Sequence, residues 1–142
     1  RPGNRFWPAL FEAGITDRLI DATEGLAPAD VDYLLARGLG ISNLVRRATA
    51  RADELTREEL RDGVARVEQL VAEHRPAVVA VAGITAYRTA FRQPRAAVGL
   101  QPERLGGAEL WVVPSPSGLN AHETVASLAA AYGQVATSAG VI

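Results

Sequence analysis

The stretch AVVAVAG, residues Ala77–Gly83, is apolar from end to end and shows no alternation. A strand with one solvated face alternates apolar and polar residues. An uninterrupted apolar run is typical of a strand in a parallel sheet that is covered on both faces. Because parallel strands need crossover connections, usually helices, the stretch predicts an α/β fold with helices on either side of it.

Helix signals do flank this strand. Thr56 and Glu59 have the spacing of a capping box, in which each side chain bonds the other residue's backbone N–H, and Pro76 ends the helix that they start. The later elements follow in order: a helix from 85 to 91, a loop with Pro94 and Pro102, a strand from 109 to 113 and a helix from 123 to 132. This alternation implies right-handed crossovers and a parallel sheet.

The N-terminal part of the chain predicts two helices and a strand. Asn4 is a candidate cap for a short helix that ends at Gly14, and Pro28–Arg37 is a second helix. Gly40–Val45 has the pattern of a short strand that runs into an arginine-rich loop. No repeat, linker or low-complexity tract interrupts the chain, so residues 1–142 are expected to form a single α/β domain.

The composition excludes several kinds of chemistry. The 142 residues contain no cysteine and no lysine, which excludes disulfides, thiol catalysis and a Schiff base with a substrate carbonyl. Only two histidines are present, far apart, so we expect no metal site and no cofactor. No apolar run is long enough to cross a bilayer, and we expect a soluble cytoplasmic protein. The net charge of −1 gives no global basic field.

Ligands of open parallel sheets bind beyond the carboxyl ends of the strands. Three loops leave such ends here: residues 43–51, 83–85 and 114–122. We therefore expect Asn43 to face the same crevice as the stretch PSPSGLNAH, which begins at Pro114.

That stretch is stiffened by two prolines, and Gly118 permits an unusual dihedral angle, yet an apolar Leu119 stands at its tip. The bland interpretation is a rigid strand-to-helix turn. A serine nucleophile is a further possibility, with His122 as the one candidate base nearby. However, the spacing differs from the nucleophile elbow of α/β-hydrolases.

Asn43 and the arginines each have two interpretations. Asn43 could cap the following loop, or its carboxamide could recognise the edge of a pyrimidine through one donor and one acceptor. The arginines cluster locally and are either solvated surface or phosphate contacts. One cluster is Arg46, Arg47 and Arg51, and the other is Arg88, Arg92 and Arg95.

Four motifs occur in an order and spacing that resemble a known family. They are Asn4–Trp7 (NRFW), Ala13–Arg18 (AGITDR), Gly40–Val45 (GISNLV) and Pro114–Asn120 (PSPSGLN). Together they resemble the mismatch-specific uracil-DNA glycosylases, the bacterial branch of the thymine-DNA glycosylase family within the uracil-DNA glycosylase superfamily. The resemblance covers essentially the whole chain. It implies a three-layer α/β/α fold with a short, mainly parallel central sheet.

The resemblance also implies an activity and a partner. Relatives flip uracil or a related damaged pyrimidine out of a mispair with guanine in double-stranded DNA, and water cleaves the glycosidic bond without metal or cofactor, which begins base-excision repair. Such an enzyme would act as a monomer at the bacterial nucleoid. In the family the loop that matches Ser115–Asn120, with Pro116 and Ser117, enters the duplex. The position of Leu119 is the wedge, and the backbone near Gly118 and Asn120 meets the unpaired guanine.

The remaining roles follow from the same resemblance. Asn43 would contact the flipped base or assist the attacking water, and Arg46, Arg47 and Arg51 would hold phosphates. The family's glycine-x-asparagine-proline-glycine loop, which positions the water, is expected upstream of Arg1 together with the first strand. Ser115 stands where bacterial members commonly have asparagine.

Two alternatives stay open at this stage. Without that upstream loop the chain would be a non-catalytic lesion-binding module of the same fold. A small α/β hydrolase that uses Ser117 is the third hypothesis.

Overall fold

The computed structural model describes residues 3–44 and 56–142. Within these ranges the chain forms five helices and three strands. In chain order they are α1 (Phe6–Glu12), α2 (Pro28–Ala36), α3 (Arg57–His74), β1 (Val78–Ala82), α4 (Ile84–Ala90), β2 (Gly99–Leu105), β3 (Ala108–Val113) and α5 (Val125–Ala139). They belong to two compact units: Arg1–Ile41 together with Pro116–Ile142, and Ser42–Ser115. The single domain expected from the sequence stays a prediction.

The second unit holds the sheet, in which the strand order is β1-β3-β2. β1 and β3 are parallel, from the pair Val78 and Glu109 to the pair Ala82 and Val113. β2 is antiparallel to β3. The α/β class and the parallel pair predicted from Ala77–Gly83 are confirmed. The sheet is mixed rather than mainly parallel, and the three-layer arrangement stays a prediction.

The strand β2 occupies a stretch that the sequence analysis treated as a loop. Pro102 gave the loop interpretation, because proline cannot donate a hydrogen bond to a sheet. In the structure β2 is an edge strand of the described sheet, and the register shifts between Leu100 and Arg104, where Pro102 lies. Proline is tolerated at edges and irregularities of this kind. Gly106 and Gly107, both with positive φ, make the tight turn into β3.

One face of β1 is more open than the sequence predicts. Ala80 and Ala82 are exposed, whereas Val79 and Val81 pack against the core of the second unit. The prediction of two covered faces is therefore wrong for the described residues, where β1 is an edge strand. Alanine is small enough to leave such a face without a large exposed apolar surface.

The core of the second unit lies between the sheet and helices α3 and α4. Its buried members include Val71 of α3, Tyr87 of α4 and Leu110 of β3. Tyr87 stacks on Phe91 and donates a 2.7 Å hydrogen bond to Glu103. Burial, and secondarily this carboxylate, raises the pKa of Tyr87, so its phenol stays neutral and keeps donating.

The first unit is helical, and α1 packs against α5. The rings of Phe6 and Tyr132 lie 6.1 Å apart between centroids. The helix α5 begins after Thr124, whose side chain forms a capping box with Ser127, and it ends at Gly140. It is longer than the predicted 123–132, because its alanine-rich sequence sustains a helix through Gly133.

Two further predictions differ from the structure. The N-cap of α1 is Arg5, so the prediction of Asn4 as the N-cap is wrong by one residue, although the Asn4 carboxamide accepts the Phe6 N–H at 2.9 Å. Residues 40–44 form no strand, contrary to the interpretation of Gly40–Val45, and Val45 lies outside the described residues. The backbone of this segment bonds to a side chain instead, as described below.

Candidate nucleic-acid interface

The loop after β3 presents Leu119 at its tip, where the residue is 64% exposed. The turn is held by its own polar groups. The Leu119 N–H donates to the Ser117 hydroxyl at 3.2 Å, and the Asn120 N–H donates to the Ser117 carbonyl at 3.0 Å. The His122 N–H donates to the Asn120 carboxamide at 3.3 Å. An apolar side chain is therefore presented on a turn whose backbone is hydrogen-bonded on both sides of it.

Arg5 forms hydrogen bonds to several carbonyls of this loop. Its guanidinium donates to the carbonyls of Ser117 at 2.6 Å and Asn120 at 2.8 Å, and also to the carbonyl of Glu123. Its backbone N–H donates to the Pro116 carbonyl at 2.9 Å. A single residue thus joins four positions of the loop. We call this group of hydrogen bonds the Arg5 clamp.

Gly118 is required by a close approach. A Cβ atom at this position would lie 2.7 Å from the Gly3 carbonyl oxygen and 3.2 Å from the Gly3 Cα, closer than side chains are found to approach backbone. Gly118 is not among the described glycines with positive φ, so the structure does not use the left-handed conformation that a glycine permits at this position. The glycine makes room for the N-terminal segment, which lies against the turn.

The setting of the clamp includes a buried tyrosine and a half-buried guanidinium. Tyr132 lies in the same unit and is 5% exposed. Burial, and next the Glu123 carboxylate, raises its pKa, while the Arg5 guanidinium opposes that rise. The Arg5 Nε is buried and has no hydrogen-bond partner among the described residues. Arg5 as a whole is half-buried, and in this partly sheltered setting its bonds to carbonyls are stronger than at a fully exposed surface.

Asn43 lies in the second unit, on a segment held by α3. Arg66 donates to the carbonyl of Asn43 at 3.3 Å and to that of Leu44 at 2.8 Å. A Cβ atom at Gly63 would lie 1.8 Å from the Leu44 carbonyl oxygen. The segment thus crosses the helix at its glycine. Asn43 itself is exposed, and the bonds from Arg66 hold the segment through its backbone carbonyls and not through the Asn43 side chain.

This contact gives a prediction for Gly63→Ala. The new methyl group cannot fit below the Leu44 carbonyl, so the segment must move or the helix must distort, at about 1–3 kcal/mol of unfolding free energy. We expect a lower melting temperature and faster amide exchange at residues 43 and 44. The matched control is Gly133→Ala on α5, where a Cβ meets nothing within 4 Å.

Gly133→Ala should raise stability by about 0.5–1 kcal/mol, because alanine is the better helix former. A Gly63→Ala protein as stable as the wild type, with unchanged exchange at 43 and 44, would contradict the close crossing.

Two of the three expected strand-end loops start side by side. Ala82 and Val113 are paired at the ends of β1 and β3, so the loops that begin at Gly83 and Pro114 share one edge of the sheet. The Gly83 N–H donates to the Val113 carbonyl at 2.9 Å, and a Cβ on Gly83 would lie 3.9 Å from that of Ser115. The expectation of a common edge is confirmed for these two loops.

The other site residues have separate outcomes. Pro116, Ser117, Gly118, Leu119 and Asn120 are brought together in the turn of the first unit. Asn43 and Ser115 belong to the second unit, and the meeting of Asn43 with the turn stays a prediction. The expected phosphate contacts Arg46, Arg47 and Arg51 lie outside the described residues.

The sequence analysis missed Arg5, although it lies inside the NRFW motif. The neighbouring Asn4 carries the more familiar signal, that of a helix cap. A positive charge at the start of a helix is unfavourable next to the helix dipole, and that conflict is the signal that Arg5 has another partner. Gly63 and Arg66 were missed as well, because nothing local in the sequence ties α3 to residues 43 and 44.

Across residues 3–44 and 56–142, no group of three or more histidine, cysteine, aspartate or glutamate side chains could hold a metal ion. In that same part of the chain, no helix combines the length and apolarity needed to span a bilayer.

A comparison with known families adds one finding. The family model described as the uracil DNA glycosylase superfamily matches residues 1–135. The match therefore includes the Arg5 clamp, the 43–44 segment, the whole sheet and the loop with Leu119.

Proposed function

The chain belongs to the uracil DNA glycosylase superfamily, a family of hydrolases that act on DNA, and from that premise we propose that it is a mismatch-directed glycosylase. It would excise uracil, or a related damaged pyrimidine, opposite guanine. The reaction breaks the bond between the base and C1′ of the deoxyribose, and water adds to C1′. The products are a free base and an abasic site.

The observation that carries this proposal is the rigid turn with an exposed leucine. An enzyme that acts on a base must first unstack it, which costs a few kcal/mol. An apolar side chain inserted into the vacated space offsets part of that cost, as wedges do in DNA-bending proteins. Leu119 is 64% exposed on a turn whose carbonyls are already bonded. Because the turn is ordered beforehand, little conformational entropy is lost on insertion.

The proposal assigns the other residues around that wedge. The backbone at Gly118 and Asn120 would face the guanine that lost its partner, and Ser115, Pro116 and Ser117 would line the approach of the loop to the duplex. Asn43 would contact the flipped pyrimidine or the attacking water, and Arg46, Arg47 and Arg51 would hold phosphates. The absence of lysine in the sequence agrees with a hydrolytic reaction that has no Schiff-base step.

The test is single-turnover cleavage by the full-length protein on matched duplexes that contain uracil opposite guanine, uracil opposite adenine, or thymine opposite guanine. Because a mispaired base costs less to flip, we expect excision opposite guanine to be at least about tenfold faster than opposite adenine. Equal rates opposite guanine and adenine would contradict mismatch direction while leaving glycosylase activity intact.

The same experiment separates the alternatives. A lesion-binding module would bind the uracil·guanine duplex more tightly than an undamaged one and release no base. For the hydrolase hypothesis, the Ser117 hydroxyl already accepts the Leu119 N–H. We expect Ser117→Ala to retain base excision, with at most the loss caused by a less ordered turn.

A further inference from the structure

The second unit carries a cleft lined by none of the residues to which the proposed function assigns a role, but lined by Arg88 and Arg92 of the second arginine cluster seen in the sequence. It is an open groove of about 450 Å³ between α3 and α4. In the part of the chain that the structure describes, four arginines line it, together with two threonines whose hydroxyl groups can donate hydrogen bonds. These six are Arg57, Arg61, Arg88, Arg92, Thr85 and Thr89. We call it the arginine cleft.

Residue spacing places two arginines of α3 on one face of that helix, and two threonines of α4 on one face of theirs. Arg57 and Arg61 are four residues apart at the start of α3, and Thr85 and Thr89 have the same spacing on α4. Residues four apart lie on one face of a helix. All four arginines are exposed, and no acidic residue is among the described residues that line the groove. Among the described residues none of these four guanidiniums forms an ion pair. The described part of the cleft therefore brings four positive charges together on a chain whose net charge is −1.

Two of the arginines are fixed by the end of α4. The Gln93 N–H donates to the Arg88 carbonyl at 3.0 Å, which is the bond of a Schellman motif, and Arg92 takes the left-handed position of that motif with φ 55°. Glycine is the usual residue there, and a side chain costs about 1 kcal/mol. The Arg88 guanidinium is also held, by bonds of 2.9 and 2.8 Å to the Ala96 carbonyl.

We propose that the arginine cleft binds successive phosphates of a DNA backbone. The groove is open at the surface, as a polymer backbone requires, whereas small ligands are mostly enclosed. A guanidinium can donate two parallel hydrogen bonds to two oxygens of one phosphate. Threonine hydroxyls commonly donate hydrogen bonds to phosphate oxygens as well. The mutual repulsion of the four charges is relieved when a polyanion enters.

The cleft also lies toward the edge of the sheet from which the strand-end loops leave. α4 begins directly after Gly83, whose loop shares an edge with Pro114, and Thr85 lies in the first turn of α4, so the start of this helix brings part of the cleft close to that edge. The inference rests on the proposed function in that it takes DNA as the partner. It goes beyond that function by placing phosphates on α3 and α4.

The experiment measures binding of the full-length protein to an undamaged duplex, so that no cleavage is needed. The cleft variant is Arg57→Gln with Arg61→Gln. Its matched control is Arg75→Gln with Arg104→Gln, which removes the same charge from two exposed arginines of the same unit that do not line the cleft. Each affinity is measured by fluorescence anisotropy over a range of salt concentrations.

The slope of log affinity against log salt is negative, and each lost phosphate contact makes it less steep by about 0.9. The slope of the cleft variant should therefore be less steep than that of the wild type by close to 2. Its affinity deficit relative to the wild type should shrink by roughly tenfold between about 50 and 200 mM salt. The control variant should keep the wild-type slope. A cleft variant with the wild-type slope, or a control that loses as much, would overturn the assignment.

Two further readouts keep the failures apart. If the protein excises no uracil but the cleft variant alone loses its salt slope, the proposed function fails and the arginine cleft stands. If excision proceeds and the slopes are equal, the cleft assignment fails alone.

Inorganic phosphate at constant ionic strength is the remaining probe. Low-millimolar phosphate that leaves the duplex bound supports a backbone site, and phosphate that displaces it would assign the cleft to free anions and overturn the proposal.

Discussion

Replacement of Arg5 by alanine should lower single-turnover excision from a uracil·guanine duplex by about a hundredfold or more, since 1.4 kcal/mol corresponds to a factor of ten. The substitution leaves the carbonyls of Ser117, Asn120 and Glu123 without their shared charged donor. A hydrogen bond to a charged group contributes about 1.5–3 kcal/mol. The turn would then lose its ordered shape, and the cost of ordering it would fall on the insertion step.

The variant Arg5→Lys tests geometry apart from charge. Lysine keeps the positive charge, but a compact ammonium on a flexible stem does not reproduce the planar fork that reaches several carbonyls. We expect Arg5→Lys to fold, to show faster amide exchange at Leu119 and Asn120, and to lose excision from duplex by about tenfold or more. This variant also covers the case in which Arg5→Ala does not fold.

The matched control for the clamp is Arg18→Ala. Arg18 is a partly exposed arginine of the same unit, and its guanidinium forms a 2.8 Å ion pair with Asp30. Surface pairs of this kind contribute about 0–1 kcal/mol, so this variant should excise uracil at close to the wild-type rate. Equal losses in the Arg5 and Arg18 variants would contradict the clamp, as would normal duplex activity in Arg5→Lys.

The elements predicted correctly from the sequence are those whose signals are local. The apolar run at Val78–Ala82, the capping box of Thr56 and Glu59, and the helix begun by Pro28 each depend on neighbouring residues alone. The strand β2 was missed because Pro102 is a local argument against a strand. Its place at a sheet edge and a register shift is a property of the whole sheet. The glycine pair Gly106 and Gly107 was the available signal for a hairpin.

The residues of the candidate site also separate into those with a local sequence signal and those whose partners are distant in the sequence. The rigid turn and its exposed leucine could be predicted, because prolines, glycine and a lone apolar residue are visible in PSPSGLN. The Arg5 clamp could not, since it joins residues more than a hundred positions apart. The strand expected at 40–45 failed for a similar reason. The carbonyls of Asn43 and Leu44 bond to Arg66, which lies more than twenty positions further along the chain.

Leu119→Ala is the second change with a large expected effect. Burying a leucine side chain contributes about 1.5–3 kcal/mol, and most of it would be gained when Leu119 enters the base stack. Excision from duplex should therefore fall by roughly tenfold to a hundredfold. A single-stranded substrate has no vacated stack to fill, so its rate should change little. The residue is 64% exposed in the free protein, so removal of its side chain leaves no cavity and the stability should stay the same.

Leu35→Ala is the matched control for this variant. Leu35 lies on α2 in the same unit and is 62% exposed, so the two substitutions remove the same atoms from equally exposed positions. It has no assigned role in DNA binding, and its rates on duplex and on single strand should both match the wild type.

The most direct test is the ratio of single-turnover excision rates on duplex and on single-stranded uracil DNA, compared between the wild type, Leu119→Ala and Leu35→Ala. We expect the ratio to fall by about tenfold or more in Leu119→Ala alone, at unchanged melting temperature. A ratio equal to that of the wild type, whether both rates are retained or both fall together, would contradict the role of Leu119 as the wedge.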